Sequence, residues 1–168
     1  DAAGENAEKL DTGFRVFKVD ESNVIPWDTN PEKFEEQLKK ASERGHLQEG
    51  RTSEDFFYEV LLKQGIELTQ EFEEQEIAGH KVYSLGCGMY YCCFDECIGK
   101  ETADLAAGIA EWHNEQDPDG KDCVVFVRDS AFDDANVMHG TDARESDARK
   151  QSFCATLVQS GIMKVKAF

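Results

Sequence analysis

Lys81-Val82-Tyr83-Ser84-Leu85-Gly86-Cys87-Gly88-Met89-Tyr90-Tyr91-Cys92-Cys93-Phe94 is the stretch on which the fold turns. Two runs rich in aromatic, β-branched and small apolar residues flank a glycine-bounded turn, which predicts an antiparallel hairpin. Downstream, Thr102 to Gln116 sets Leu105, Ile109 and Trp112 at spacings of four and three, a helical stripe. Asp117-Pro118-Asp119-Gly120 then reads as a turn. Cys123-Val124-Val125-Phe126-Val127 is almost continuously apolar, as a central strand covered on both faces should be. After an acidic loop, Ser146 to Gln159 is a helix displaying Phe153, Leu157 and Val158 that ends near Gly161, and Met163 to Phe168 is a last short strand. Strands separated by helices imply right-handed crossovers and parallel neighbours. The expected class is therefore α/β: a small mixed sheet, an antiparallel hairpin followed by parallel crossovers, packed with helices.

The first half is less regular. Phe14-Arg15-Val16-Phe17-Lys18-Val19 is the first strand candidate, with imperfect alternation that points to burial on both faces. Asn30-Pro31 reads as a cap followed by proline in the first turn of a helix over Pro31 to Arg44. Phe34, Leu38 and Ala41 give that helix one narrow apolar stripe. Gly45 to Arg51 is a polar loop. Thr52 or Ser53 caps a second helix that buries Phe56, Phe57, Val60 and Leu61 and stops at Gly65. Ile66 to Ile77 is acidic and extended, with Leu68 and Phe72 available for packing.

Residues 1–12 are small and polar, which predicts a flexible N-terminal linker ahead of a single domain over 13–168. A chain beginning at Asp1 without an initiator methionine fits a processed protein or a piece of a longer one. No apolar stretch is long enough to cross a bilayer, so no membrane partner is expected. At 168 residues and a net charge of −17 the chain can bury a core without staples, and its field repels phosphate backbones. Direct binding of nucleic acid is not expected; basic faces of other proteins suit this surface better. Six cysteines, at 87, 92, 93, 97, 123 and 154, fall mostly in apolar runs and read as packed thiols of a reducing cytoplasm.

Candidate sites are few. Gly86-Cys87-Gly88 leads into a strand, whereas a phosphate or cofactor loop must lead into a helix. Cys87, Cys92, Cys93 and Cys97 with His80 invite zinc, but adjacent Cys92 and Cys93 on a strand point to opposite faces. Asp129, Asp133 and Asp134 follow the central strand, where open α/β sheets place ligands, so this loop is the place for a divalent cation or polar ligand if the chain holds one. Aspartates are equally at home in an ordinary turn, and that is the preferred reading. His113 and His139 read as solvated residues on a helix and a loop. Tyr90, Tyr91 and Phe94 could stack on bases, but no lysine or arginine lies between Val82 and Ile98, so core packing is preferred. No glycine-bounded serine elbow or phosphate loop occurs, and no residue is assigned a catalytic or cofactor-binding role.

The segment Gly13 to Asn23, followed by Trp27-Asp28, resembles a stretch near the C-terminal end of type III adenine-specific DNA methyltransferases, the modification subunits of restriction-modification systems. The resemblance continues through Glu49-Gly50-Arg51, Tyr58 to Thr69, Gly79 to Ser84, and Val124-Val125-Phe126 with Arg128-Asp129 and Phe132-Asp133-Asp134. It spans roughly Asp11 to Phe168. The stretch Ala135 to Glu145 is longer than its counterpart in the family. The Asp-Pro-Pro-Tyr type and Phe-x-Gly-x-Gly type motifs that serve adenine and S-adenosylmethionine in that family do not occur here. The resemblance implies a parent enzyme that methylates adenine N6 using S-adenosylmethionine, and a C-terminal domain that lies beyond the catalytic region. It implies subunit association or docking for this domain, onto other parts of the methyltransferase or the restriction subunit. The narrow stripe at Phe34 and Leu38 and the acid at Asp133 and Asp134 are the expected partner surface. The rival is a freestanding metal-dependent hydrolase working through Asp129, Asp133 and Asp134.

Overall fold

The structure, a computed structural model, describes residues 14–26, 28–37, 47–117, 123–132, 143–162 and 164–168, with the side chains of 143 and 144 outside that description. Five strands form one sheet in chain order: β1 (Phe72–Ile77), β2 (His80–Leu85), β3 (Tyr90–Cys93), β4 (Val124–Val127) and β5 (Lys164–Ala167). β1, β2 and β3 run antiparallel, while β3, β4 and β5 are parallel. The helices are α1 (Ser53–Gln64), α2 (Thr102–Gln116) and α3 (Ala143–Gln159). The α/β class and the hairpin followed by parallel strands are as the sequence led us to expect.

Alternation along the strands builds two cores. Val82, Tyr91, Cys93, Val125 and Val127 face α2 and α3 and pack with Leu105, Ile109, Trp112, Phe153 and Leu157. Leu85, Cys92 and Phe126 point the other way, onto Phe56, Phe57, Val60 and Leu61 of α1. The result is three layers, with α1 on one face and the α2–α3 pair on the other. Cys92 and Cys93 fall in different cores, as neighbours on a strand must.

Local chemistry explains the boundaries of α1. Thr52 and Asp55 form a reciprocal capping box, with Asp55 N–H donating to Thr52 Oγ1 at 3.2 Å and Thr52 N–H to Asp55 Oδ2 at 2.8 Å. At the far end Gly65 adopts φ 71°, and Ile66 N–H reaches back to the Leu61 carbonyl at 2.9 Å. α2 is tied to the hairpin through Gln116, whose Oε1 accepts from Ser84 Oγ at 2.6 Å and from Tyr91 Oη at 2.7 Å. Burial pushes the Tyr91 phenol up to about 12.

Two expectations need correction. Phe14 to Val19 is not a strand: it pairs with no strand of the described sheet and its residues are exposed. Conversely, the acidic stretch after Ile66, expected as extended chain and not as part of the sheet, supplies β1, an edge strand beside the hairpin. β1 and β2 are joined by the two-residue turn Ala78-Gly79, with φ 52° and 81°. Both positive values match the mirror-image turn that suits strand twist. Alanine is disfavoured in the left-handed region, whereas asparagine visits it readily. Ala78→Asn is therefore expected to stabilise the protein by about 0.5–1 kcal/mol, seen as a higher urea midpoint at unchanged slope.

The leading helix is described in part. Asn30 caps Pro31–Lys33, its Oδ1 accepting from Glu32 N–H at 3.1 Å, and residues 34–37 continue helically. Residues 38–44, and with them Leu38 and Ala41, lie outside the described residues, as do 1–13, Trp27 and most of the expected 117–120 turn. α3 starts earlier than the expected Ser146, at Ala143, and β5 is Lys164–Ala167.

Candidate functional site

Residues 14–23 lie against α1 and the start of β1 as a strap. Arg15 sits over the Phe72 ring, 5.0 Å from its centroid, and Phe17 meets Tyr58 edge-on at 5.1 Å. Asp20 pairs with Arg51 at 3.1 Å. The firmest anchor is Glu59 on α1, which accepts from Ser22 Oγ at 2.5 Å and from Asn23 N–H at 2.7 Å. Asn23 Nδ2 adds a bond to the Asp55 carbonyl at 3.0 Å, and Gln48 N–H bonds the Asn23 carbonyl at 2.8 Å.

With Arg15 and Phe17 turned towards the domain, the apolar side chains between and beyond them are left in solvent. Phe14 is 88% exposed, Val16 81% and Val19 97%. Among the described residues, the backbone of 14–19 makes no hydrogen bond. Three large apolar side chains beside unpaired backbone are what strand addition by a partner uses.

Burial pushes the Glu59 pKa up, but hydrogen bonds from Lys63, Ser22 and the Asn23 amide outweigh it and hold the carboxyl below the ordinary glutamate range. A group depressed in the folded state contributes stability above its unfolded pKa and loses it as pH falls through the folded value. The strap should therefore loosen on acidification through and below the ordinary glutamate range. Glu59→Gln is expected to reproduce this at neutral pH, because an amide nitrogen cannot accept from Ser22 or Asn23. Hydrogen exchange at the Asn23 amide should accelerate about tenfold or more, the equivalent of one charge-assisted bond. Unchanged protection would show that the anchor lies elsewhere.

The other sequence candidates separate in space. Phe34 is 49% exposed, whereas Leu38, Asp133, Asp134 and His139 lie outside the described residues. Asp129 opens a short helical turn, Asp129–Phe132, and its carboxylate is engaged by Lys150 Nζ at 2.9 Å. His80 Nδ1 lies 2.9 Å from Asp95 Oδ2. Among the described residues no set of three or more histidine, cysteine, aspartate or glutamate side chains is arranged to hold a metal ion. All six cysteines are free; Cys87 and Cys97 are exposed, while Cys92, Cys93 and Cys123 are buried. Burial pushes the Cys93 and Cys123 thiols up to about 12, so they are inert hydrophobes at neutral pH. Tyr91 and Phe94 are buried, as the core reading of the hairpin aromatics required. His113, expected in solvent, is instead buried, edge-on to Tyr91 at 5.8 Å.

One residue escaped the sequence reading as a site. Arg128 follows the last residue of β4 and is only 4% exposed. Its Nε donates to Ser130 Oγ at 3.0 Å, while its buried Nη1 has no hydrogen-bond partner among the described residues. Burial lowers the guanidinium pKa and the nearby Glu96 opposes that shift. The available signal was a charged residue placed directly after a continuous apolar strand.

Among the described residues no helix is long and apolar enough to cross a membrane. Comparison of the chain with protein-family models, with curated proteins and with solved structures gives no match.

Proposed function

We propose that this chain is the C-terminal accessory domain of an adenine-N6 DNA methyltransferase of the type III restriction-modification class, and that it works by docking rather than by catalysis. The observation that carries the reading is the strap. The segment with the strongest resemblance to that family is fastened to α1 through Glu59, yet it holds Phe14, Val16 and Val19 in solvent. Large apolar groups held out by a polar anchor fit a surface that another polypeptide covers. The net charge of −17 favours a basic protein face over a phosphate backbone as that partner. The partners are other domains or subunits of the methyltransferase, the restriction subunit among them, in the reducing cytoplasm. S-adenosylmethionine serves the parent enzyme and has no assigned residues here.

The test is a substitution on the exposed face alone. Phe14→Ser, Val16→Ser and Val19→Ser together, placed in the complete modification polypeptide, should weaken subunit association about tenfold or more, the effect of losing an interfacial hot spot. The melting of the domain itself should barely move, since exposed side chains contribute little to its stability. Association that survives the triple substitution unchanged would remove the strap from the interface. Separately, the chain incubated with DNA and S-adenosylmethionine should transfer no methyl groups, and detectable transfer would defeat the accessory reading.

A further inference from the structure

Three parallel strands end together at one side of the sheet, where basic side chains gather among carboxylates. Arg128 follows β4 directly and is buried, with Nε bonded to Ser130 Oγ at 3.0 Å. Its Nη1 is buried without an acceptor among the described residues. On α3, Lys150 reaches the same short turn at Asp129, 2.9 Å away, while Arg149 Nη1 donates to the Phe132 carbonyl at 3.3 Å and its Nη2 lies 3.9 Å from Glu145 Oε2. The segment leaving β3 closes the other flank, with Ile98 N–H donating to the Ala131 carbonyl at 2.6 Å, and the end of β5 joins through Asp129 N–H to the Phe168 carbonyl at 2.7 Å.

A guanidinium is a permanent charge, so it cannot escape burial by losing its proton. A buried donor without an acceptor is costly, and more so when it belongs to a charged group. Asp129, the nearest carboxylate in sequence, is already taken by Lys150. Glu96 acts on Arg128 through its charge but accepts no hydrogen bond from Nη1. The planar fork of arginine matches the paired oxygens of an oxyanion, and the carboxyl ends of parallel strands are where open α/β sheets receive ligands.

We propose that Arg128, with the Ser130 hydroxyl beside it and Lys150 across the Asp129–Phe132 turn, forms a binding site for a small oxyanion, an anionic oxygen group of phosphate or carboxylate type. The site is independent of the strap and of the docking reading. The anion supplies the acceptor that Nη1 lacks and stabilises the folded chain by mass action.

The test is thermal unfolding of the purified chain titrated with inorganic phosphate or with acetate, against chloride at matched ionic strength. One of the two anions should raise the Tm saturably, by about 5 °C or more near a hundredfold excess over its dissociation constant. A phosphate-selective rise identifies a phosphoryl group as the ligand chemistry, and a rise with acetate identifies a carboxylate. Arg128→Met, folded by circular dichroism, should abolish the rise. Should that variant not fold, Ser130→Ala tests the same site and should weaken the apparent affinity several-fold. No saturable rise over chloride, or a rise unchanged in Arg128→Met or in Ser130→Ala, would overturn the site.

Discussion

Truncating Phe57 to alanine is expected to destabilise the protein by about 3–5 kcal/mol, a large share of the roughly 5–15 kcal/mol that holds a domain together. The reason lies in how α1 is attached. Phe57 is 1% exposed and sits at the centre of an aromatic group, with ring centroids of Tyr83 at 4.7 Å, Tyr58 at 5.2 Å and Phe72 at 5.5 Å. These partners come from three places, α1 itself, β1 and β2, so the ring joins helix to sheet. Removing it loses apolar burial and leaves a cavity that stiff aromatic neighbours cannot close. Phe57→Leu keeps most of the volume and should cost well under half as much. Urea unfolding of the two variants checks the ranking. A loss below about 1 kcal/mol for the alanine variant would mean that α1 is held by something other than this cluster.

Gly108→Ala runs against helix propensity and is expected to destabilise all the same. In an unconstrained helix interior the change would add about 1 kcal/mol of stability. Here a Cβ at position 108 would be driven into Ile77 Cγ2, far inside contact distance. Ile77 ends β1 and is 8% exposed, and Cγ2 branches directly from its Cβ, so it cannot swing clear as the tip of a long side chain could. Either α2 moves off the sheet or β1 moves with it. Overpacking of this kind costs about 1–3 kcal/mol, and a contact this short belongs at the upper end, which leaves a net loss of about 1–2 kcal/mol. Ile77→Ala removes the clashing methyl, so the double variant should be more stable than the sum of the single effects requires. Additive losses would show that the two positions do not touch.

How much of this could be seen in the sequence differs from element to element. The boundaries of α1 were legible because they are set by local chemistry: Thr52 before the apolar stripe and Gly65 after it. β4 was legible because burial on both faces leaves a continuous apolar run. β1 was not legible as a strand. Glu73, Glu74 and Glu76 are exposed at the sheet edge, so no apolar alternation marks it. Its pairing is instead directed by the Ala78-Gly79 turn, where alanine hides the positive φ that asparagine would have advertised. Phe14 to Val19 failed in the opposite direction. Its residue types fit a pleated surface, but residue type reports fit to a half-buried environment and not the presence of a strand to pair with.

The candidate sites divide in the same way. His113 follows Ile109 by four residues and so belonged to the buried stripe of α2, a relation that the search for reactive neighbours passed over. Opposite faces for Cys92 and Cys93 followed from strand geometry alone. The fastening of the strap at Glu59 could not be read in advance, because Ser22 and Asn23 meet it across more than thirty residues of chain. The buried state of Arg128 is likewise a product of three strands ending together, which only the assembled sheet reveals.

The central claim, that this chain is the docking end of a larger methyltransferase, is tested most directly by the mass of the native polypeptide that carries it. Proteomics of a size-separated lysate from the source cells would follow peptides such as the one spanning Val19 to Lys33. The expected result is that they travel in a much larger protein, together with upstream peptides containing the adenine-site and cofactor motifs absent here. Peptides that travel only in a chain of 168 residues would contradict the claim.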